Sequence, residues 1–292
     1  MRNRIFLLCF AFALLFGCAP KERPKEQGAY IEQDAASDGE IQEQDCLVKV
    51  TFFDVGKGDA ILIETSGHRV MIDAGYDDTS EIILSYFKDN GIEKLDYLLI
   101  THFDKDHVGG ADHILREVET KNVLQPDYES DSEQYQEYIM SMEEQDIIPN
   151  KITETMNLSL DGIDFLVYPP QKADYKEKDN DFSLVVSMTC GEKHFLFTGD
   201  CEKERLTELL TQKEFDLTHD VLKIPHHGRK EKNSGEFLKA VSPEAAVITS
   251  SDDKPADDEI RKMLKKLGTE VYFTNDGTVT CLCDGVRVSV KT

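Results

Sequence analysis

The hydrophobic and polar positions of this chain form strand-like and helix-like patterns in turn, from about residue 46 onward. β-Rich runs between glycine turns predict strands in "CLVKVTFFDV", "DAILIET" and "HRVMIDA". A helical spacing follows in "TSEIILSYFKDNG", which ends on Gly91. Two β-rich halves, each followed by helical segments, predict an α/β fold in one continuous domain, with two sheets packed together between helices.

The same patterns predict the remaining elements. Helices are expected from Ala111, after the "GG" pair, and in "DSEQYQEYIMSMEEQ", "EKERLTELL" and "ADDEIRKMLKKLG". Strands are expected in "LDYLLIT", "ITETMNLSLDGIDFLVYPP", "FSLVVSMTCGEKHFLFTGD", "HDVLKIP", "AAVITSS", "EVYFTN" and "TVTCLCDGVRVSV".

The first 45 residues have a different pattern. Arg2 and Arg4 precede an apolar run over 5–16 that is short for a membrane span and is typical of a signal peptide. The segment "LLFGC" resembles a bacterial lipobox, so we predict a lipoprotein signal peptide over 1–18, with Cys18 carrying the lipid that anchors an exported protein to the cell membrane. An ordinary secretory signal or an uncleaved anchor, with an incidental Cys18, is the alternative. Residues 19–45 are polar and without period, which predicts a flexible tether before the domain over 46–292.

Charge and cysteine content narrow the function classes. The chain has 33 Lys and Arg against 57 Asp and Glu, for a net charge of −24. Such a charge opposes non-specific attraction to nucleic acid or to an anionic membrane surface. Outside the predicted signal peptide, the cysteines have no zinc-like spacing, and we interpret them as buried strand residues rather than disulfide partners: Cys46, Cys190, Cys201, Cys281 and Cys283.

Potential metal ligands follow predicted strands in three loops. The first, "THFDKDHVGG", places two His and two Asp within six positions, and the others are "FTGDCE" and "KIPHHGRK". Strand ends aim loop side chains at a common point, and buried carboxylates are costly unless they are paired or bound to a cation. The three loops supply His102, Asp104, Asp106, His107, Asp200, His226 and His227.

Two of these loops also have a purely structural interpretation. Asp200 is placed to cap the helix of "EKERLTELL", and paired histidines after a proline are often surface residues. The first loop is not typical of a cap, because it holds four potential ligands. Together, the three loops favour a metal site.

From about Val48 to Val290 the chain resembles the metallo-β-lactamase fold, and within it the soluble hydrolase-like domain of the ComEC/Rec2 competence family. The motifs that carry this resemblance are "FFDVGKGDAILIE", "VMIDAG", "THFDKDHVGG", "NDFSLVV", "FLFTGD", "DVLKIPHHG" and "TNDGTVT". The resemblance implies a four-layer αβ/βα sandwich with a two-metal site at the sheet edges.

The resemblance also implies roles for the loop residues. His102 and Asp104 would bind one metal ion, Asp106 and His107 a second, and Asp200 would bridge the two. One of His226 and His227 would complete the second site, with the choice between them open. Asp104 stands where many relatives have histidine, and this oxygen ligand leaves Zn²⁺ and Mn²⁺ as the expected ions.

Other positions are implied to support the site. No histidine lies where relatives have a ligand between the first loop and Asp200, and "DNDFS" offers Asn180, Asp181 and Ser183 instead. Asp73 is expected to steady the first loop by accepting backbone hydrogen bonds. Asp54 and Asp59 are expected in turn and supporting roles, and Lys57 departs from the glutamine usual in relatives.

A two-metal site suits hydrolysis by activated water. Two cations about 3.5–4 Å apart activate a water and stabilise the attacking and leaving oxygens of an ester. Asp106 is then the expected catalytic residue, orienting the nucleophile, and a histidine of "PHHG" or a water would protonate the leaving group.

The substrate is less determined by the sequence. We expect a phosphodiester, in nucleic acid or as a small molecule, with Arg229, Lys230 and Lys232 either contacting phosphate or forming a solvated loop. Another ester, lactone or amide substrate, or metal binding without catalysis, is the alternative. No protein partner is inferred.

Overall fold

The computed structural model describes residues 41–292 except 177 and 214. The predicted signal peptide and the predicted tether up to residue 40 lie outside the described residues. The described part belongs to one compact unit, Glu40–Thr292. None of the helices in this part of the chain is both long and apolar enough to cross a membrane.

The strands follow the predicted β-rich runs. They are β1 Val48–Phe52, β2 Ala60–Glu64, β3 Arg69–Ala74, β4 Lys94–Leu95, β5 Tyr97–Leu99, β6 Glu119–Thr120, β7 Val123–Pro126, β8 Asn150–Ile152, β9 Met156–Leu160, β10 Ile163–Tyr168, β11 Val185–Cys190, β12 Lys193–Phe197, β13 Val221–Lys223, β14 Ala245–Ile248, β15 Glu270–Phe273, β16 Val279–Cys283 and β17 Val288–Lys291.

The α-helices lie between groups of strands along the chain. They are α1 Ser80–Asp89, α2 Lys105–Val108, α3 Ala111–Glu117, α4 Glu133–Glu144, α5 Lys178–Asp181, α6 Lys203–Thr211, α7 Ser234–Val241 and α8 Asp258–Leu267.

The first sheet has the strand order β17-β16-β1-β2-β3-β5-β7-β8. Strands β3, β5, β7 and β8 run parallel, whereas β1 is antiparallel to both β2 and β16. Ile72 of β3 pairs with Leu99 of β5. The segment that follows each of these residues therefore lies at the same edge of the sheet, which brings Asp73 beside the loop that begins at Thr101.

The second sheet has the strand order β15-β14-β13-β12-β11-β10-β9. Strands β12 to β15 are parallel, and Phe197, Lys223 and Val247 stand side by side across β12, β13 and β14. The loops that leave these three strands therefore meet at one edge. They contain Asp200, the "PHHG" turn and Thr249.

The two sheets pack face to face between helices. Their facing sides share one core, which includes Phe52, Ile63, Phe165 and Phe197. A second core packs α1, α3 and α4 on the outer face of the first sheet, and a third packs α6, α7 and α8 on the second. The four-layer αβ/βα arrangement expected from the sequence is confirmed.

The predicted long helices are confirmed at α1, α3, α4, α6 and α8. Gly91 follows α1 with a φ of 65°, the left-handed conformation that glycine adopts at the end of a helix. Three helices were not predicted. These are α2, which lies inside the first ligand loop, α5, and α7 in "SGEFLKAV".

Candidate metal centre

Residues of all three ligand loops, one from the first sheet and two from the second, form one cluster. Asp106, His107, Asp200 and His227 are all buried, and each has a ligand atom within 4.8 Å of the others. Asp200 lies in the middle, because its Oδ1 is 3.2 Å from Nε2 of His107 and its Oδ2 is 2.9 Å from Nε2 of His227. Nε2 of His227 is also 3.4 Å from Oδ2 of Asp106. The cluster therefore converges on the Nε2 atoms of two histidines.

Hydrogen bonds on the far side of each ring fix the tautomer of these histidines. Nδ1 of His107 is 2.8 Å from Oδ2 of Asp73, and Nδ1 of His227 is 2.9 Å from the carbonyl oxygen of Thr249. A carboxylate or carbonyl oxygen only accepts, so each Nδ1 must carry the hydrogen. When such a ring is neutral, it presents an Nε2 lone pair to the cluster, as a metal-binding histidine does.

His102 is oriented by the same kind of chain. Thr101 donates its hydroxyl to Oδ2 of Asp73 at 2.7 Å, and its Oγ1 is 3.0 Å from Nδ1 of His102. Because the hydroxyl hydrogen is already used, His102 donates through Nδ1 and leaves Nε2 free. That Nε2 is buried and has no hydrogen-bond partner among the described residues, and it lies 3.8 Å from Oδ2 of Asp104.

Asp73 holds the first loop as expected. It accepts the backbone N–H of Thr101 at 2.7 Å, in addition to the bonds from the Thr101 hydroxyl and His107. Its side chain is fully buried, and its φ of 56° is unusual for a residue other than glycine. One carboxylate therefore positions two of the predicted histidine ligands.

The two histidines of the "PHHG" turn point to different neighbours. Both have left-handed backbone conformations, with φ of 47° at His226 and 54° at His227, which is costly and typical of functional sites. His227 joins the cluster. Nδ1 of His226 instead lies 3.0 Å from Oε1 of Glu202, and its Nε2 is 3.8 Å from Oδ2 of Asp200. The structure thus places His227 with the second set of predicted ligands and His226 beside it.

Asp200 does not cap the helix that follows it. That role belongs to Asp181, whose Oδ1 accepts the backbone N–H groups of Glu202 and Arg205 at 2.9 and 3.1 Å. Gly199 permits the turn into Asp200: its φ is +49°, and a Cβ there would stand 2.9 Å from Oγ of Ser183.

Residues of the "DNDFS" segment form hydrogen bonds with different residues around the site. Asn180 donates to Oε1 of Glu202 at 3.0 Å, and Ser183 accepts the backbone N–H of Asp200 at 3.1 Å. Ser183 is also 3.4 Å from Nδ1 of His102. Asp179 was not among the predicted residues. Burial and then the charge of Asp104 raise its pKa, so these two carboxylates lie within electrostatic reach of each other.

A buried lysine beneath the cluster also escaped the sequence analysis. Lys223 is fully buried and forms an ion pair with Asp59, and its Nζ is 3.0 Å from the carbonyl oxygen of Gly199. Asp59 in turn accepts the hydroxyl of Thr249 at 2.6 Å, which supports the predicted supporting role. A buried lysine is rare unless it is paired. A lysine within the apolar strand of "DVLKIPHHG" was therefore the sequence signal that could have indicated a buried ion pair here.

The electrostatics of the cluster favour a cation. Burial opposes ionisation of Asp200, yet His227 and His107 hold the pKa of its carboxyl well below the usual range. Burial lowers the pKa of His107, but Asp200 and Asp73 outweigh it and raise that pKa well above its usual value. The carboxylates at this site therefore stabilise positive charge on the neighbouring His107, and a bound cation would be stabilised in the same way.

The residues present fit divalent cations. The Nε2 atoms of His102, His107 and His227 each have a carboxylate oxygen within 3.8 Å, and that of His102 has no hydrogen-bond partner among the described residues. Each ring is also held from behind by an oxygen acceptor, which is the arrangement that orients metal ligands in proteins.

Comparison with known proteins identifies the family. A family model described as the metallo-β-lactamase superfamily matches residues 53–250. The chain belongs to the metallo-β-lactamase superfamily. Members are generally metal-dependent hydrolases, and the His/Asp cluster is the candidate metal centre of this one.

Curated relatives of this superfamily member are competence and recombination proteins. ComE operon protein 3 of Bacillus subtilis (strain 168) is 26% identical over 237 residues, covering 75% of this chain and 30% of that protein. Recombination protein 2 of Haemophilus influenzae is 29% identical over 207 residues, covering 69% of this chain and 24% of that protein. The chain therefore spans less than a third of the length of either relative.

Solved structures confirm the metallo-β-lactamase fold. The metallo-β-lactamase fold protein YhfI from Bacillus subtilis aligns with a TM-score of 0.53 at 14% identity, covering 84% of this chain and 99% of that one. CmlA, a diiron β-hydroxylase from Streptomyces venezuelae, aligns with a TM-score of 0.50 at 17% identity, covering 76% of this chain and 52% of that one. Because a hydroxylase shares the fold, the reaction must be argued from the site.

Proposed function

We propose that this protein is an exported, membrane-tethered hydrolase that cleaves phosphodiesters of nucleic acid or nucleotides with two divalent metal ions. The observation that carries the proposal is the convergence of Asp106, His107, Asp200 and His227, with the free Nε2 of His102 nearby. The names of the relatives, which refer to competence and recombination, favour nucleic acid as the substrate class.

We assign the ligands to two sets. Asp106, His107, Asp200 and His227 would hold one cation. His102 and Asp104 would hold the other together with Asp200, and we include Asp179, whose pKa is raised by burial and by the charge of Asp104, as a further candidate oxygen ligand. The set that contains Asp104 is rich in oxygen ligands, which suits Mn²⁺ as well as Zn²⁺.

The chemistry then divides between the cations and the side chains. When bound, the cations would lower the pKa of a water and stabilise the charge on the phosphate oxygens. Asp106 orients that water. His226, with Glu202 at its Nδ1 and its Nε2 turned toward Asp200, is placed to hold a proton for the leaving oxygen.

Metal analysis followed by a substrate panel tests the proposal. The purified protein, reconstituted with Zn²⁺ or Mn²⁺, is analysed for metal content and then assayed with a chromogenic phosphodiester, a lactone and a β-lactam. We expect metal-dependent cleavage of the phosphodiester. Preferential cleavage of the lactone or β-lactam would replace the substrate class, and bound metal without any turnover would favour a non-catalytic metal-binding protein.

The membrane anchor is proposed from Cys18 and has its own test. Cys18→Ala removes the thiol that would be lipidated, so we expect the variant to remain unprocessed or to be released from the membrane fraction. Cell fractionation with immunoblotting measures this outcome. Normal processing and membrane retention of Cys18→Ala would exclude the lipid anchor.

A further inference from the structure

A cavity of about 230 Å³ opens beside the cluster. It lies between the "PHHG" turn and the segment that follows β14, and its lining includes His226, His227, Lys57, Arg229, Lys254 and Asp257. Nζ of Lys57 is 2.9 Å from Oδ2 of Asp106, so the cavity adjoins the predicted catalytic carboxylate.

The lining of this cavity carries more positive than negative side chains, whereas the chain as a whole is strongly negative. Lys57, Arg229 and Lys254 come from three separate loops, on a protein whose net charge is −24. The carboxylate in the lining, Asp257, accepts the backbone N–H of Lys230 at 2.8 Å. Asp106 balances the charge of Lys57, but Arg229 and Lys254 add positive charge that this pair does not balance, so the local excess points to an anionic ligand.

The size and chemistry of the cavity fit one phosphate group with part of a sugar. Arginine presents a planar set of donors that matches phosphate oxygens, and lysine adds a point charge. A phosphate held here would lie next to the bond under attack rather than at it, because the reacting group must contact the cluster itself.

We propose that the cavity formed by Lys57, Arg229 and Lys254 binds a second phosphate of the substrate, one sugar away from the phosphodiester that is cleaved. This inference rests on the proposed function and narrows it. The preferred substrate is then a nucleic acid strand or oligonucleotide, rather than an isolated phosphodiester.

Calorimetric binding of small nucleotides tests this inference without turnover. The metal-loaded protein is titrated with thymidine monophosphate, with a thymidine bisphosphate that carries phosphates on both sugar oxygens, and with adenosine diphosphate. We expect the bisphosphate to bind roughly tenfold more tightly than the monophosphate, the scale of one additional charge-assisted contact.

Variants show whether the cavity causes this preference. Arg229→Gln combined with Lys254→Gln should reduce the affinity ratio to about one, since both cations are removed and charged contacts to phosphate are lost. Lys265→Gln combined with Lys266→Gln, which removes two exposed charges on α8 outside the cavity, should keep the full ratio. Thermal unfolding and metal content verify that each variant is folded and loaded.

Several outcomes would overturn the inference. These are equal affinities in the unaltered protein, a full ratio in the Arg229 and Lys254 variant, or tighter binding of adenosine diphosphate than of the bisphosphate. None of them depends on catalysis. Failure of the proposed function would instead appear as absence of phosphodiester cleavage in the substrate panel.

Discussion

The two histidines of the "PHHG" turn differ in what their rings contact, and this difference predicts different losses. His227→Ala should reduce the metal bound per chain, because its Nε2 lies among Asp106, His107 and Asp200. His226→Ala should keep its metal and lose turnover, because His226 pairs with Glu202 instead. Metal analysis of both purified variants measures the contrast, and loss of metal from His226→Ala alone would reverse the assignment.

Asp106 is predicted both to bind a cation and to orient the nucleophile. Asp106→Asn is nearly isosteric, so the fold should be kept while the charge is removed. We expect phosphodiester turnover to fall by roughly 10²-fold or more, the scale of a lost acid/base function. Asp131→Asn, at an exposed position before α4, is the matched control and should retain turnover. Near-normal turnover in Asp106→Asn would contradict the mechanism.

At the scale of single residues, the sequence was sufficient to predict the types of residue that meet in the cluster but not every residue around it. The spacing in "THFDKDHVGG" was sufficient to predict His102, Asp104, Asp106 and His107 as a group. The choice between His226 and His227 depended on two left-handed backbone conformations, which no residue pattern specifies.

Helix α6 begins at a buried carboxylate, and this makes its stability depend on pH. Burial raises the pKa of Asp181 from 3.8 to about 6, against the backbone hydrogen bonds from Arg205 and Glu202 that lower it. The folded state therefore binds a proton more readily than the unfolded chain. The contribution of Asp181 to stability is present below about pH 4 and is lost as the pH rises through about 6.

Asp181→Asn should remove this pH dependence. Asparagine keeps an oxygen to accept the two N–H groups but does not ionise. We therefore expect the variant to gain stability relative to the unaltered protein between about pH 4 and about pH 6. Urea unfolding across this range measures the difference, and a constant difference at every pH would contradict the prediction.

Element length decided which helices were predictable. The predicted helices span enough turns for a hydrophobic face to repeat, whereas α2 and α5 have four residues each and show no period. Helix α7 was missed although Phe237, Leu238 and Val241 supplied a readable apolar face. The order of strands within each sheet depends on pairing between distant segments, which local patterns do not contain.

At the scale of the whole molecule, the charge distribution predicts the response to salt. The acidic surface repels nucleic acid, so attraction should come from the metal centre and a few cations around the cavity. If about two phosphate contacts are made, the logarithm of the binding constant for a single strand should fall with the logarithm of salt concentration with a slope of about −1 to −2. Fluorescence anisotropy with a labelled oligonucleotide measures it, and a much steeper slope would indicate an extended basic surface instead.

The layered architecture was predictable because both sheets alternate with helical segments along the chain. The convergence of the three loops on one site was expected from their potential ligands, whereas the two-metal arrangement was implied only by resemblance to a known fold. The cavity beside the site was beyond sequence reasoning, since Lys57, Arg229 and Lys254 are far apart in the chain.

The pairing of β1 with β16 has a consequence for the order of events in the cell. Val48 at the start of the domain pairs with Cys283 near its end. While the ribosome is still making the chain, β1 has one edge without a partner, and contacts between such distant segments form slowly. Completion of the first sheet therefore waits until the last strands have been synthesised. The export proposed from the N-terminal sequence would benefit from this delay, because the polypeptide would reach the translocation machinery before its fold is closed.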